Sequence, residues 1–178
     1  MYDPKQYWEE RGKDYRASNP TWEEESKTLR GYYLFLNDFT PHTTLEVGSG
    51  YGRIYELLGH PMLMDMCDIS TTMAEKCMEI TQRIVYNWDG ITLPFKDNSY
   101  DLVISYSVLL HVPPDQIRNH ISELLRVGKE VYIATYSGIQ SGEHYFAHDY
   151  LELFKQLEAE LVSCKTFGEN RVHYVVRK

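Results

Sequence analysis

The chain has 178 residues with a net charge of −8, and 43% of its residues are hydrophobic. This length supports one full hydrophobic core and is too short for two ordinary domains, while the acidic balance disfavours a nucleic-acid backbone as partner. No apolar run reaches the roughly 18 residues of a membrane span, the N-terminus does not resemble a signal peptide, and the cysteines lack metal-ligand spacing. We therefore expect one cytoplasmic domain over residues 1–178, a monomer or homodimer with no membrane contact and no metal site.

The predicted elements begin with a helical lead-in over residues 1–40, with helices near 4–16 and 22–38. The second helix starts at a capping box formed by Thr21 and Glu24. Strands and helices then alternate, which is the pattern of a parallel sheet. The strands are predicted near 43–47, 62–67, 83–87, 101–106 and 130–136, and the helices between them near 51–59, 71–81 and 114–127. A helix near 146–158 and a hairpin of strands 161–167 and 171–177, turning at 168–170, complete the chain.

The first strand ends in a glycine-rich loop with the sequence Glu46-Val47-Gly48-Ser49-Gly50-Tyr51-Gly52-Arg53. Alternate glycines permit a tight turn and the close approach of a ligand. The helix that follows directs its unpaired N–H groups at the same space. A dinucleotide fingerprint needs a third glycine at the position of Arg53, so an NAD site is the weaker interpretation. A plain strand-to-helix connection without a ligand is the remaining alternative.

An acid follows where a nucleotide-binding α/β unit needs one. Asp68 lies twenty residues after Gly48 and opens the segment Asp68-Ile69-Ser70. An acid at the end of the second strand hydrogen-bonds ribose hydroxyls in such units. Asp65 is a rival, but it lies inside the predicted strand. The chain continues with Trp88-Asp89-Gly90 and then with a Leu-Pro-Phe turn before the fourth strand.

These segments, in this order, resemble motifs I to IV of class I S-adenosylmethionine-dependent methyltransferases over residues 42–136. The resemblance implies an α/β fold, a three-layer Rossmann-like sandwich with helices on both faces of a mostly parallel seven-stranded sheet. The implied strand order is 3-2-1-4-5-7-6, with strand 7 antiparallel. It also implies that S-adenosylmethionine is the cofactor and S-adenosylhomocysteine the product.

The resemblance further implies how the cofactor is held. Asp68 is expected to accept from both ribose hydroxyls, Ile69 to pack on the adenine, and Asp89 to accept from the adenine amino group. Tyr7 and Arg11 of the lead-in are expected to cover the cofactor and help hold its carboxylate, although Tyr7, Trp8 and Tyr15 are equally compatible with simple packing. The expected cofactor-binding residues are Tyr7, Arg11, Glu46, Gly48, Ser49, Gly50, Tyr51, Gly52, Asp68, Ile69, Ser70, Trp88, Asp89, Gly90, Ser105 and Tyr106.

Methyl transfer from a sulfonium is an in-line displacement, so it requires alignment and, for an acceptor with a bound proton, a base. His111 follows the fourth strand in a segment that resembles the family stretch beside the sulfur, and it is either a base or a packed wall of the pocket. His144, the second candidate base, lies in the loop 136–146, which is either a lid or an ordinary surface loop. Tyr106 is expected near the methyl group.

These features predict methyl transfer to an O, N or S atom of a small-molecule acceptor. The N-P-P-[YF] motif of many amide and adenine methyltransferases is absent after the fourth strand, and so is a Pro-Cys motif for attack on a pyrimidine. One alternative is a cofactor-binding subunit that does not transfer methyl itself or that needs a partner, including one in an RNA- or protein-modifying complex. An NAD-dependent enzyme is the third.

Overall fold

The computed structural model describes residues 2–14, 23–37, 42–138, 141–167 and 169–178. Three residues with predicted roles lie outside the described residues: Tyr15 of the lead-in, Thr21 of the capping box and Gly168 of the final turn. The strands are β1 (Thr44–Val47), β2 (Met64–Asp68), β3 (Val85–Asn87), β4 (Tyr100–Tyr106), β5 (Gly128–Tyr136), β6 (Glu160–Phe167) and β7 (Arg171–Arg177). The α-helices are α1 (Pro4–Arg11), α2 (Glu23–Asn37), α3 (Arg53–Leu57), α4 (Thr71–Thr81), α5 (Ile117–Val127) and α6 (Tyr150–Gln156).

The seven strands of the described residues form one sheet in the order β3-β2-β1-β4-β5-β7-β6, which confirms the prediction. The first five strands are parallel, and β7 runs antiparallel between β5 and β6. Thr44 of β1 pairs with Met64 of β2 on one side and with Leu102 of β4 on the other. The strand order reverses at β1, and such a switch point leaves a crevice beyond the carboxyl ends of the strands.

Both faces of the sheet are covered, because successive residues of a strand point to opposite sides. On one side, Val103 of β4 and Ile133 of β5 pack with residues of α5 and α6. On the other, Ile104 and Ala134 pack with residues of α2, α3 and α4. The predicted three-layer sandwich is therefore confirmed. Among the described residues, none of the helices combines the length and apolar character that crossing a bilayer requires.

Two boundaries differ from the predictions in ways that shape the crevice. β2 ends one residue later than predicted, so Asp68 is its last residue. The helix expected over residues 51–59 is shorter, because Gly52 is its N-cap with a φ of +87° and the regular turns begin only after it. Helix α4 has the predicted bounds, and the side chain of Ser70 caps its first turn.

Candidate active site

A cavity of about 830 Å³ lies at the carboxyl ends of β1, β2 and β4, and residues 2–6 and Trp8 form part of its wall. This volume is within the range of sites that hold small molecules and cofactors. Most of the site residues predicted from the sequence meet here, from separate segments of the chain. The twelve that line the cavity are Glu46, Gly48, Ser49, Gly50, Tyr51, Asp68, Ile69, Trp88, Asp89, Gly90, Tyr106 and His111.

The glycine loop turns over the end of β2. The N–H of Gly48 donates to the carbonyl oxygen of Cys67 at 2.8 Å. Gly48 has a φ of +80°, and a Cβ added there would lie 2.3 Å from Cγ2 of Val108, so a larger residue does not fit. Gly52 has another role, since a Cβ there would lie 2.5 Å from Cγ2 of Thr81 in α4. Gly52 therefore permits helix packing and does not line the cavity.

Asp68 is buried in the cavity wall at the end of β2. Its Oδ2 accepts from the N–H of Gly50 at 2.8 Å, and its Oδ1 accepts from the N–H of Ser70 at 2.9 Å. Burial raises the pKa of this carboxyl to about 6, although the backbone hydrogen bonds oppose the shift. Each oxygen keeps further acceptor capacity for a ligand. The rival Asp65 instead accepts from the hydroxyl of Tyr100 at 2.8 Å, away from this cavity.

Glu46 of β1 is only 1% exposed and lines the same cavity. Burial raises its pKa well above the usual range; Arg53 opposes this shift and Asp68 adds to it. Its Oε2 accepts no hydrogen bond from the residues that the structure describes. Because a buried carboxylate is costly without such a bond, this position suits a ligand group that carries positive charge and can donate hydrogen bonds.

The loop after β3 forms one end of the cavity. Oδ1 of Asp89 accepts from the N–H groups of Ile91 and Thr92, at 2.8 and 2.9 Å, and these bonds lower the pKa of Asp89. Trp88 is buried with its ring centre 5.0 Å from that of His120 in α5. Burial lowers the pKa of His120 to about 4, so its imidazole is neutral at neutral pH. The two rings give this end a wall suited to a flat, uncharged group.

Helix α1 forms part of the cavity wall and is hydrogen-bonded to the N-terminus of α4. The carboxylate of Glu9 accepts from the N–H groups of Thr71 and Thr72, at 2.6 and 3.0 Å. These groups form the N-terminus of α4, where the helix dipole favours an anion. Burial acts against the charge of Glu9, but the hydrogen bonds prevail and lower its pKa to about 2. The adjacent Trp8 is thereby held in the cavity wall.

A stack of rings holds His111 beside the cavity. The ring of Tyr7 stacks on His144 with centres 4.8 Å apart, and His144 stacks on His111 at 5.8 Å. Nδ1 of His111 lies 2.6 Å from the carbonyl oxygen of His144. Burial lowers the pKa of His111 to about 4, so the side chain is neutral at neutral pH. Since a carbonyl only accepts, Nδ1 carries the hydrogen and the lone pair is on Nε2.

Six predicted site residues do not line the cavity. Arg11 is exposed at the end of α1, Ser70 caps α4, and Ser105 is buried within β4. Tyr7 and His144 act one layer away, through the stack on His111. These six residues are Tyr7, Arg11, Gly52, Ser70, Ser105 and His144.

The cavity also contains residues that the sequence analysis did not assign to the site. Arg53 directly follows the glycine loop, and its position next to that motif was a signal that could have placed it in the site. Ser107 and His120 had none, since Ser107 is an unspecified position in the stretch that contains His111 and His120 is a lone histidine on an amphipathic helix. Tyr2 reaches the wall from a segment far from the motifs in sequence.

Comparisons with known proteins are consistent with this geometry. A family model described as a methyltransferase domain matches residues 45–133. The fold is similar to magnesium protoporphyrin IX methyltransferase from Synechocystis PCC 6803 with bound SAH, at a TM-score of 0.80 and 16% identity over 98% of both chains. It is also similar to 1,6-didemethyltoxoflavin-N1-methyltransferase from Burkholderia thailandensis with bound 1,6-didemethyltoxoflavin and S-adenosylhomocysteine, at a TM-score of 0.70 and 14% identity over 100% of this chain and 91% of that one.

A third similar structure is a complex between the Trm112 methyltransferase activator of Haloferax volcanii and a methyltransferase. The TM-score is 0.65 and the identity 15%, over 86% of this chain and 92% of that one. No curated protein sequence gives a significant match to the chain. At these identities the solved structures establish the fold alone, and the family model establishes the family.

Proposed function

This chain belongs to the family of methyltransferase domains, and we propose that it transfers a methyl group from S-adenosylmethionine to an O, N or S atom of a small-molecule acceptor. The observation that carries the proposal is the pair of buried acids, Glu46 and Asp68, in one cavity at the switch point of the sheet. Open α/β sheets bind their ligands at this place.

The cavity fits S-adenosylmethionine group by group. Glu46, whose Oε2 accepts no bond from the described residues, suits the ammonium of the methionine moiety. Asp68 has acceptor capacity for the ribose hydroxyls, beside the open space at Gly50. The adenine belongs at the end formed by Trp88 and Asp89, where a flat neutral group packs well. A cofactor with net positive charge also relieves the repulsion that Asp68 exerts on Glu46.

When bound, S-adenosylmethionine would supply a methyl group on a positively charged sulfur. The lone pair of the acceptor would form the bond to carbon as the C–S bond breaks, and the electron pair of that bond would stay on sulfur. The protein has to align the acceptor and exclude water. We propose that Nε2 of His111, which bears the lone pair, accepts the proton that the acceptor atom loses. A pKa of about 4 makes His111 a weak base, and a weak base suffices for a hydroxyl acceptor because methylation makes the protonated oxygen strongly acidic.

The small acceptor is supported by the size of the cavity, about 830 Å³, which leaves limited room beside a bound cofactor. Two of the similar structures are named for methylation of a small molecule. To test the function, we would incubate the chain with S-adenosylmethionine and small phenols, amines, thiols and carboxylic acids, and measure S-adenosylhomocysteine by mass spectrometry. Product that forms with some acceptors and exceeds the acceptor-free background supports the proposal.

The role of His111 has its own test. We expect His111→Ala to bind S-adenosylhomocysteine as the wild type does and to lose methyl transfer by about 10²- to 10⁴-fold, the usual contribution of a general base. Turnover that stays within a few-fold of wild type would reduce His111 to a packed wall residue. A parallel loss of cofactor binding would place it in the binding site.

A partner-dependent subunit is the second candidate, favoured by the similarity to a methyltransferase complexed with an activator. Cofactor binding without turnover on any acceptor, followed by turnover after addition of a co-purifying protein, would favour this candidate. Turnover by the isolated chain contradicts it.

A further inference from the structure

Ser107 is the first residue after β4 and lines the cavity, but no motif assigns it a role. Its backbone φ is +60°, a left-handed conformation that glycine adopts freely and that most other residues, serine among them, adopt at a cost. The N–H of Ser107 donates to the carbonyl oxygen of Ala134 in β5 at 2.7 Å, which holds this conformation. Glycine adopts this conformation at lower cost, and what serine adds at this position is a hydroxyl.

That hydroxyl is oriented by Arg171 of β7. Nη2 of Arg171 donates to Oγ of Ser107 at 3.1 Å. Arg171 is only 3% exposed, and its guanidinium carbon lies 5.0 Å from the ring centre of Tyr106 and 4.8 Å from that of Tyr136. A guanidinium can only donate, so Ser107 Oγ accepts from it and its own hydrogen points elsewhere. The adjacent positive charge also makes this hydroxyl a stronger donor.

Positive charge gathers at this end of β4, although the chain carries a net charge of −8. The guanidinium carbon of Arg53 lies 5.7 Å from the centre of the Tyr106 ring that Arg171 also contacts. The ring centre of His173 lies 5.7 Å from that of Tyr106. Burial first, and then the charges of Arg171 and Lys165, lower the pKa of His173 to about 4, so its ring is neutral at neutral pH. The positive charge here is that of Arg171 and Arg53. A ligand group beside Ser107 therefore meets a hydroxyl donor in a positive field.

We propose that Ser107 binds a carboxylate of the methyl acceptor and that Arg171 is a positioning residue for the Ser107 hydroxyl. This assignment rests on the proposed methyltransferase function and names the substrate class, a small carboxylic acid. Ser107 lies between Tyr106 and Val108, and Val108 contacts the glycine loop at Gly48. With His111 on the same stretch of chain and in the same cavity wall, a carboxylate at Ser107 anchors the acceptor next to the base.

The test measures binding of benzoate and phenylacetate, each against its neutral carboxamide, to the chain saturated with S-adenosylhomocysteine. The variants are Ser107→Gly, which suits the backbone and removes the hydroxyl, and Ser107→Ala, which removes the hydroxyl alone. We expect the wild type to prefer carboxylate over carboxamide, and both variants to lose about tenfold or more in carboxylate affinity. Ser99→Gly, the same change at the opposite end of β4, is the matched control and keeps the wild-type affinity.

Arg171 is tested by the ratio of carboxylate to carboxamide affinity. Arg171→Gln is expected to lower this ratio towards that of the Ser107 variants, and Arg171→Lys is expected to lower it less. If Arg171 had only a structural role, the ratio would not depend on whether residue 171 carries a positive charge. The proposal is overturned if the wild type shows no carboxylate preference or binds none of the probes, or if the Ser107 variants bind them normally.

The affinity for S-adenosylhomocysteine separates the remaining outcomes. We expect it to be unchanged in the Ser107 variants. If it falls by the same factor as carboxylate affinity, the hydroxyl serves the carboxylate of the cofactor and the assignment to the acceptor is wrong. If the wild type fails to bind S-adenosylhomocysteine at all, the proposed function fails first and the inference fails with it.

Discussion

Asp68 holds the glycine loop and is also proposed to hold the cofactor, so its ionisation governs binding. Its pKa in the folded protein is about 6, above the usual 3.8, because burial favours the neutral form. Ribose hydroxyls donate best to the charged form, which exists above that pKa. We therefore predict that affinity for S-adenosylhomocysteine is highest above pH 6 and weakens as the pH falls through about 6.

The variant Asp68→Asn is expected to bind about tenfold or more weakly at pH 8, since charge-assisted bonds become neutral ones. It is also expected to lose the part of the pH dependence that Asp68 contributes, while Glu46, whose pKa is raised as well, keeps its own contribution. Titration calorimetry from pH 5 to pH 8 measures both effects. Asp65→Asn is the matched control, because it changes the same strand outside the cavity. Wild-type affinity and wild-type pH dependence in Asp68→Asn would show that another group binds the ribose.

At the scale of elements, α1 is expected to act as a cover that Glu9 fastens to α4. Glu9→Gln keeps the side chain's shape but removes the charge that the N-terminus of α4 favours. We predict that it speeds dissociation of S-adenosylhomocysteine several-fold, measured by stopped-flow, with little change in thermal stability. Glu10→Gln is the control, since Glu10 is exposed and pairs with Lys13. Equal dissociation rates in the two variants would mean that α1 does not cover the cofactor.

The elements were predictable where local signals were strong. Helix α4 begins where predicted because Ser70 is a good N-cap. Apolar runs between breaks indicated where the strands lie, whereas their order in the sheet was predicted from the family resemblance. The contacts that were not predicted join residues that lie far apart in the chain. Arg171 reaches Ser107 from β7, sixty-four residues away in the chain, and no local pattern encodes that contact.

At the scale of the whole molecule, stability comes from two apolar layers on either side of the sheet. Leu124 of α5 is 0% exposed in one of these layers. We expect Leu124→Ala to lower the free energy of unfolding by about 2–5 kcal/mol, through lost burial and the cavity left behind. Denaturant unfolding measures this change. Leu151→Ala is the control at a leucine that is 55% exposed, and an equal loss in both variants would contradict the assigned core.

The arrangement of the whole cavity could be predicted in part. The motifs located the glycine loop, Asp68 and the Trp88–Gly90 segment, because each follows a strand whose carboxyl end meets the same edge of the sheet. The wall formed by Tyr2 and Trp8 was not located, since the packing of α1 on α4 depends on the folded surface. Arg11, expected to hold the cofactor, is exposed and does not line the cavity.

The most direct test of the central claim is titration calorimetry of the purified chain with S-adenosylhomocysteine and, separately, with NAD. The buried acids in the cavity and the arginine in place of a third fingerprint glycine predict micromolar binding of S-adenosylhomocysteine, about −8 kcal/mol, and no binding of NAD. Binding of NAD alone would contradict the account. Binding of neither would mean that the glycine loop is a plain connection or that the isolated chain lacks a part of its site.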